Sequence, residues 1–149
     1  MRVLLQRVSQ ASVEVDNQVI GSIGNGLLLL VGFGRVDADD SDEKIIRAVE
    51  KLINLRIFSN SSGKLDHSVQ DIKGEILAVP QFTLYGKSVK GRRPDFTDAL
   101  SPDFAEPAFQ RFCQSLQSAL GQPIPKGRFG ADMKVHLINN GPLTLQFDF

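Results

Sequence analysis

Two short segments of this 149-residue chain carry residue types suited to chemistry on a carbonyl group. The first, Val79-Pro80-Gln81-Phe82-Thr83-Leu84, ends an apolar run with a proline, then presents an amide and a hydroxyl. It reads either as a strand turning a corner or as a bend whose free N–H groups near Phe82 and Thr83 face a ligand carbonyl. Donors of that kind form an oxyanion hole. The second, Asn140-Gly141-Pro142-Leu143-Thr144, reads either as a hairpin turn or as a ligand-facing bend. X-Pro bonds are cis in only ~5–6% of cases. A cis bond here would aim two neighbouring carbonyl oxygens the same way, a pair of acceptors suited to an ammonium group.

Side-chain nucleophile motifs are absent from the sequence: it holds no G-x-S-x-G, H-E-x-x-H, P-loop or dinucleotide fingerprint. His67 falls in a polar loop and His136 on a strand face, and both read as surface or internally satisfied histidines. Thr83 is either a covalent nucleophile or a hydroxyl that shapes its loop, and nothing nearby in sequence would deprotonate it. Cys113 lies on an apolar helical stripe and reads as a buried structural thiol.

The elements that must hold these segments are mostly strands. Val3, Leu5, Val8, Val13 and Val15 sit among polar residues, and Asp16-Asn17 suits a two-residue hairpin turn. Val19 to Ile23 returns, Gly24-Asn25-Gly26 turns again, and Leu27 to Val31 is apolar enough for a strand covered on both faces. From Asp39 to Leu55 the period changes, with Ile45, Ile46, Val49, Leu52 and Ile53 on one helical face. The acidic residues Asp39, Asp40, Asp42 and Glu43 read as capping and as partners of the helix dipole. They lack the mid-loop Gly and final Glu of an EF-hand.

Asn60-Ser61-Ser62-Gly63 is a loop, Glu75 to Val79 a short strand, and residues 86–103 a surface loop. A second helix is expected over about Ala105 to Leu120, with Pro107 in its first turn or at a kink and Gly121 as its stop. Alternation returns at Met133, Val135 and Leu137, and again from Leu143 to Phe149. No internal repeat or low-complexity segment interrupts this layout.

Length and composition set the outer bounds. A chain of this length is expected to form one domain, residues 1–149, with a core needing no staples. Seventeen basic and 17 acidic residues cancel, so any nucleic-acid contact must come from a local patch. One cysteine makes no internal disulfide, which fits a reducing, cytoplasmic compartment. One Cys and two His are too few for a Cys/His zinc site, so no metal or cofactor is expected. No apolar stretch is long enough for a membrane span, and the N-terminal segment does not read as a signal peptide.

Over essentially its whole length the chain resembles the D-aminoacyl-tRNA deacylase family. The matching stretches are Gln6-Arg7-Val8 with Ala11-Ser12-Val13, Ile23 to Leu28, Arg56-Ile57-Phe58-Ser59, Gln81-Phe82-Thr83-Leu84, Gly91-Arg92-Arg93-Pro94, Gly127-Arg128-Phe129 with Ala131-Asp132-Met133, and Asn140-Gly141-Pro142 with Thr144. The resemblance implies an α/β homodimer with a β-barrel-like, mostly antiparallel sheet flanked by two helices. It implies a hydrolase of translation quality control that cleaves the ester joining a D-amino acid to the 3′ end of tRNA. Gln81, Phe82 and Thr83 then form the catalytic segment. Gly141 and Pro142, joined by a cis bond, enter the partner subunit's site and reject L residues. One departure is Pro80, where the family usually has Ser; any role of that Ser does not transfer. A branch that looks like a deacylase of L-alanine on a threonine tRNA carries Pro-Gln-Ala-Thr with a trans Gly-Pro, so this chain has that branch's Pro but the main branch's Phe82.

The implied chemistry needs few side chains. An aminoacyl ester is already activated, so polarising its carbonyl and placing a water suffices, and the substrate's 2′-hydroxyl can orient that water. Two carbonyl oxygens at Gly141-Pro142 would hold the ammonium, and a wall of main chain would clash with an L side chain. Glycine has no side chain to reject, so glycyl-tRNA is an expected second substrate. Lys87, Lys90, Arg92 and Arg93 give four cations in seven residues for tRNA phosphates, with Lys126, Arg128 and Lys134 as further candidates. Arg7 is assigned as a brace of the Gly-Pro segment. The alternatives are the L-alanyl-specific branch and a non-catalytic RNA-binding module.

Overall fold

The computed structural model describes residues 1–88 and 91–149. Its strands are β1 (Arg2–Val15), β2 (Gln18–Ile23), β3 (Gly26–Gly32), β4 (Phe58–Ser59), β5 (Leu65–His67), β6 (Glu75–Pro80) and β7 (Lys134–Asp148); its helices are α1 (Ser41–Ile53) and α2 (Pro102–Leu120). Five strands form one sheet in the order β2-β1-β3-β6, with β7 also paired to β1. Pairings are antiparallel except β3 with β6. A parallel pair needs a crossover, and α1 supplies it.

Asp16 and Asn17 make the β1–β2 turn at φ of 52° and 61°, the left-handed values a tight hairpin requires. In β3 the continuous apolar run is used on both faces. Leu27, Leu29 and Val31 join the core beneath the helices, while Leu28 joins a second cluster with Val8, Val13, Leu77 and Val79. Strand β1 serves both clusters. Val3 and Leu5 face the helices and Val8 the other side. Between Val8 and Gln10 the register with β7 slips, and this extra residue keeps Ala11 and Val13 on the face of Val8.

Helix α1 is shorter than its periodic pattern. Its acidic entry works differently from the expected cap, because Asp40 makes no side-chain cap bond. Asp40 instead pairs with Lys44 at 3.0 Å, and Asp42 with Arg111 of α2 at 2.7 Å. Helix α2 starts earlier than expected. Pro102 occupies its first turn after Ser101, a position for which proline's fixed φ is suited. Pro107 therefore sits a turn further in, and α2 stops at Gly121 with φ of 66°. Cys113 is buried on the inner stripe, and burial pushes its thiol up to about 12.

The largest difference from the sequence reading lies in β7. The Asn-Gly-Pro segment is no hairpin turn. Leu137 to Asn139 and Thr144 to Phe147 both run antiparallel to β1, with Asn139 opposite Val8 and Thr144 opposite Gln6. The four residues 140–143 thus bulge out opposite Arg7 alone, and the strand continues in the same direction.

Candidate active site

The site begins where β6 ends. Pro80 lies opposite Val31 of β3, and the Gln81 amide donates to the Val31 carbonyl at 2.7 Å. Gly32 is required beside it, since a Cβ there would stand 2.7 Å from the Gln81 carbonyl oxygen. Phe82–Tyr85 then form one turn of 3-10 helix. The first amides of a helix have no internal acceptor. Those of Phe82 and Thr83 have no partner among the described residues, whereas Leu84 donates to Gln81 and Gly86 to Thr83.

The Gln81 side-chain amide donates to Thr83 Oγ1. No acid, base or imidazole hydrogen-bonds that hydroxyl among the described residues, which favours its loop-shaping role over a nucleophilic one. Beside this turn lies a cavity of about 540 Å³ lined by Gln81, Phe82, Ser101, Phe109, Phe129 and Met133, among others. Phe82 stands half in solvent and packs edge-on against Phe96, with ring centroids 5.2 Å apart. The lining is mostly apolar with a few polar groups, among them Gln81 and Ser101, the usual make-up of a small-ligand site. Phe96 and Ser101 reach the wall because the 86–103 loop folds back through the bridges Lys87–Asp95 and Gly34–Ala99, and Phe129 reaches it from the segment between α2 and β7; the sequence names none of the three as a site residue. An isolated aromatic in that polar loop was the available signal.

The Gly141-Pro142 bulge is exposed, and its peptide bond is cis. Arg7 holds it: Nε donates to the Asn140 carbonyl at 2.8 Å and Nη1 to the Ile57 carbonyl. Gly141 has φ of 138°, and a Cβ there would stand 2.8 Å from Arg7 Nη2. Asn139 closes the bulge by accepting from the Leu143 amide at 2.7 Å and donating to Thr144 Oγ1 at 2.9 Å. None of residues 136–149 lines the cavity of its own chain. The two predicted segments are therefore not joined within one protomer.

The basic candidates divide. Lys87 is ion-paired with Asp98, Arg128 with Asp16 at 3.6 Å, and Lys134 with Glu14 at 3.1 Å. Lys126 donates to Gln110. Arg92 and Arg93 are exposed and form no ion pair among the described residues; Lys90 lies outside them. His136 is exposed, 3.7 Å from Glu14. No group of three His, Cys, Asp or Glu side chains is placed to hold a metal among the described residues. No helix of the described residues is long and apolar enough to cross a membrane.

The family model described as D-Tyr-tRNA(Tyr) deacylase matches residues 4–148. A solved structure titled "c-Myc DNA Unwinding Element Binding Protein" is 38% identical, with a TM-score of 0.90 over 100% of this chain and 99% of that one. A second, titled "Structural Analysis of a probable eukaryotic D-amino acid tRNA deacylase", is 26% identical, with a TM-score of 0.85 over 99% of this chain and 98% of that one.

Proposed function

Because this chain belongs to the D-Tyr-tRNA(Tyr) deacylase family and is a D-aminoacyl-tRNA deacylase, we propose that its hydrolysis is run by main-chain groups of two subunits. The observation that carries this reading is the pair of unpartnered amides at Phe82 and Thr83 beside the apolar cavity. The 3′-terminal adenosine enters the cavity, and the ester carbonyl oxygen accepts from those amides. Water adds to the carbonyl carbon, the bond to the ribose oxygen breaks, and that oxygen takes the proton. Free amino acid and tRNA leave. The neighbouring 2′-hydroxyl orients the water. Removing one oxyanion donor typically costs about 2.7–4 kcal/mol of transition-state stabilisation, so main-chain amides are enough for an activated ester.

The Gly141 and Pro142 carbonyls of a second copy hold the substrate ammonium, and the adjoining main chain leaves no room for an L side chain. A D side chain points outward, and glycine passes. The protein works as a cytoplasmic homodimer, and Arg92 and Arg93, with Lys87 and Lys90, contact tRNA phosphates. A second reading, nucleic-acid binding without catalysis, draws on the 38%-identical structure titled as a DNA unwinding element binding protein.

One assay tests these readings together. Wild-type and Thr83→Ala proteins are given tRNA charged with D-Tyr, L-Tyr, Gly and L-Ala. D-Tyr and Gly esters should be cleaved and both L esters spared. Thr83→Ala should keep its rate within roughly tenfold, since the hydroxyl is not the nucleophile. Complete loss in folded Thr83→Ala would revive the nucleophile, L-Ala cleavage would select the other branch, and no cleavage of any ester would leave only binding.

A further inference from the structure

The segment that carries the two free amides is clamped at its far end by a buried ionic cluster. Asp37 is fully buried. Its Oδ1 accepts from the Met1 ammonium at 2.6 Å and from Lys44 Nζ at 2.7 Å; its Oδ2 accepts from the Gly34 amide at 2.6 Å and from the Tyr85 hydroxyl at 3.0 Å. Tyr85 ends the 3-10 turn that Phe82 begins. Its ring lies against Gly34, where a Cβ would stand 2.7 Å from Tyr85 Cζ. The Arg2 guanidinium lies over the ring, 4.9 Å from its centroid. Arg2 Nη1 donates to the Leu84 carbonyl at 2.7 Å, and its Nε is held by Asp148 at 2.6 Å.

Burying such a cluster is a poor route to stability, because apolar side chains of similar volume generally do as well. What it supplies is a fixed place. Every group in it is directional, and two of its bonds end on residues 84 and 85. At the front of the same turn, Gln81 is tied to Val31. The amides of Phe82 and Thr83 lie between these two fixed points. An oxyanion hole works only when its donors are held ready before charge develops.

We propose that Arg2, Asp37 and Tyr85 are positioning residues for deacylation, holding the 82–85 turn so that the Phe82 and Thr83 amides stay aimed at the ester. The inference rests on the amide reading above. None of the three side chains lines the cavity, so their removal should slow turnover without weakening substrate binding.

The test uses the full-length protein and D-Tyr-tRNA. Tyr85→Phe keeps the ring against Gly34 and Arg2 and removes only the bond to Asp37. It should lower kcat roughly tenfold, as expected for a small misplacement of catalytic groups, with KM within twofold. Arg2→Met should do the same, and Arg2→Lys, which keeps a donor for Leu84, should recover most of the loss. Unchanged kcat in Tyr85→Phe and Arg2→Met overturns the proposal and leaves the amide reading intact. A rise in KM or a lower melting temperature at unchanged kcat also overturns it, assigning the cluster to the fold alone. If Thr83→Ala abolishes turnover while Tyr85→Phe still lowers kcat, the amide reading fails and the positioning role stands, with Thr83 as the group held.

Discussion

At the scale of single residues, Asp37 does most with least warning in the sequence. It stands two residues before the acidic run 39–43, where nothing separates it from solvated neighbours. Its burial is decided by contacts from Met1, Gly34, Lys44 and Tyr85, which no local pattern displays. Burial alone would push its carboxyl up, but the hydrogen bonds from Lys44, the Met1 ammonium and the Gly34 amide together outweigh it and hold the group below the ordinary 3.8. A carboxyl lowered in the fold binds fewer protons than it does unfolded, so its stabilisation is complete above 3.8 and is lost as pH falls through the folded-state value. Wild type should therefore lose its stability advantage over Asp37→Asn as the pH is lowered from 7 towards 2, read as converging denaturant midpoints. A gap that stays constant would mean that Asp37 is not ionised in the fold. Gln81, Phe82 and Thr83 stand out as a candidate segment for the opposite reason. A proline, an amide and a hydroxyl ending an apolar strand are conspicuous in a line of text.

At the scale of elements, strands were read well where alternation is local and badly where the partner decides. The β1–β2 hairpin, β3 and the stop of α2 follow from turn residues and periodicity in their own sequence. Strand β7 does not. Asn-Gly-Pro between two alternating runs has the composition of a hairpin, yet both runs pair with one long strand, and only β1 reveals this. The bulge that results needs something to fix it, and Arg7 does so through the Asn140 and Ile57 carbonyls. If the bulge is the wall that rejects L residues, its rigidity is a specificity term. Arg7→Met keeps the apolar stem and removes both donors. It should raise L-Tyr relative to D-Tyr cleavage by roughly tenfold, because discrimination is a difference between two transition states at the same wall. Equal selectivity in wild type and variant would confine Arg7 to stability.

At the scale of the whole molecule, the question is what completes the site. Among the described residues strand β7 pairs only with β1, which leaves its other edge open, and its Ile138 and Leu145 are exposed, at 53% and 36%. A long open edge with apolar side chains is one that proteins ordinarily cover. A two-fold copy would cover it with an identical surface. Met133, just before β7, and Val135 near its start line the cavity, whereas Gly141 and Pro142 further along the strand do not. In the proposed dimer the two copies exchange bulges, each site taking its amides from one chain and its ammonium acceptors from the other. Mixing two defective chains tests this. Phe82→Pro removes an oxyanion donor, since proline has no N–H. Gly141→Val forces a side chain into a backbone conformation of φ 138° and against Arg7. Each homodimer should be inactive. In randomly assembled mixtures half the dimers are mixed, and each of these has one complete site, so activity should return to roughly a quarter of wild type per chain. If each chain builds its own site, no mixed dimer holds an intact one, and coexpression restores nothing.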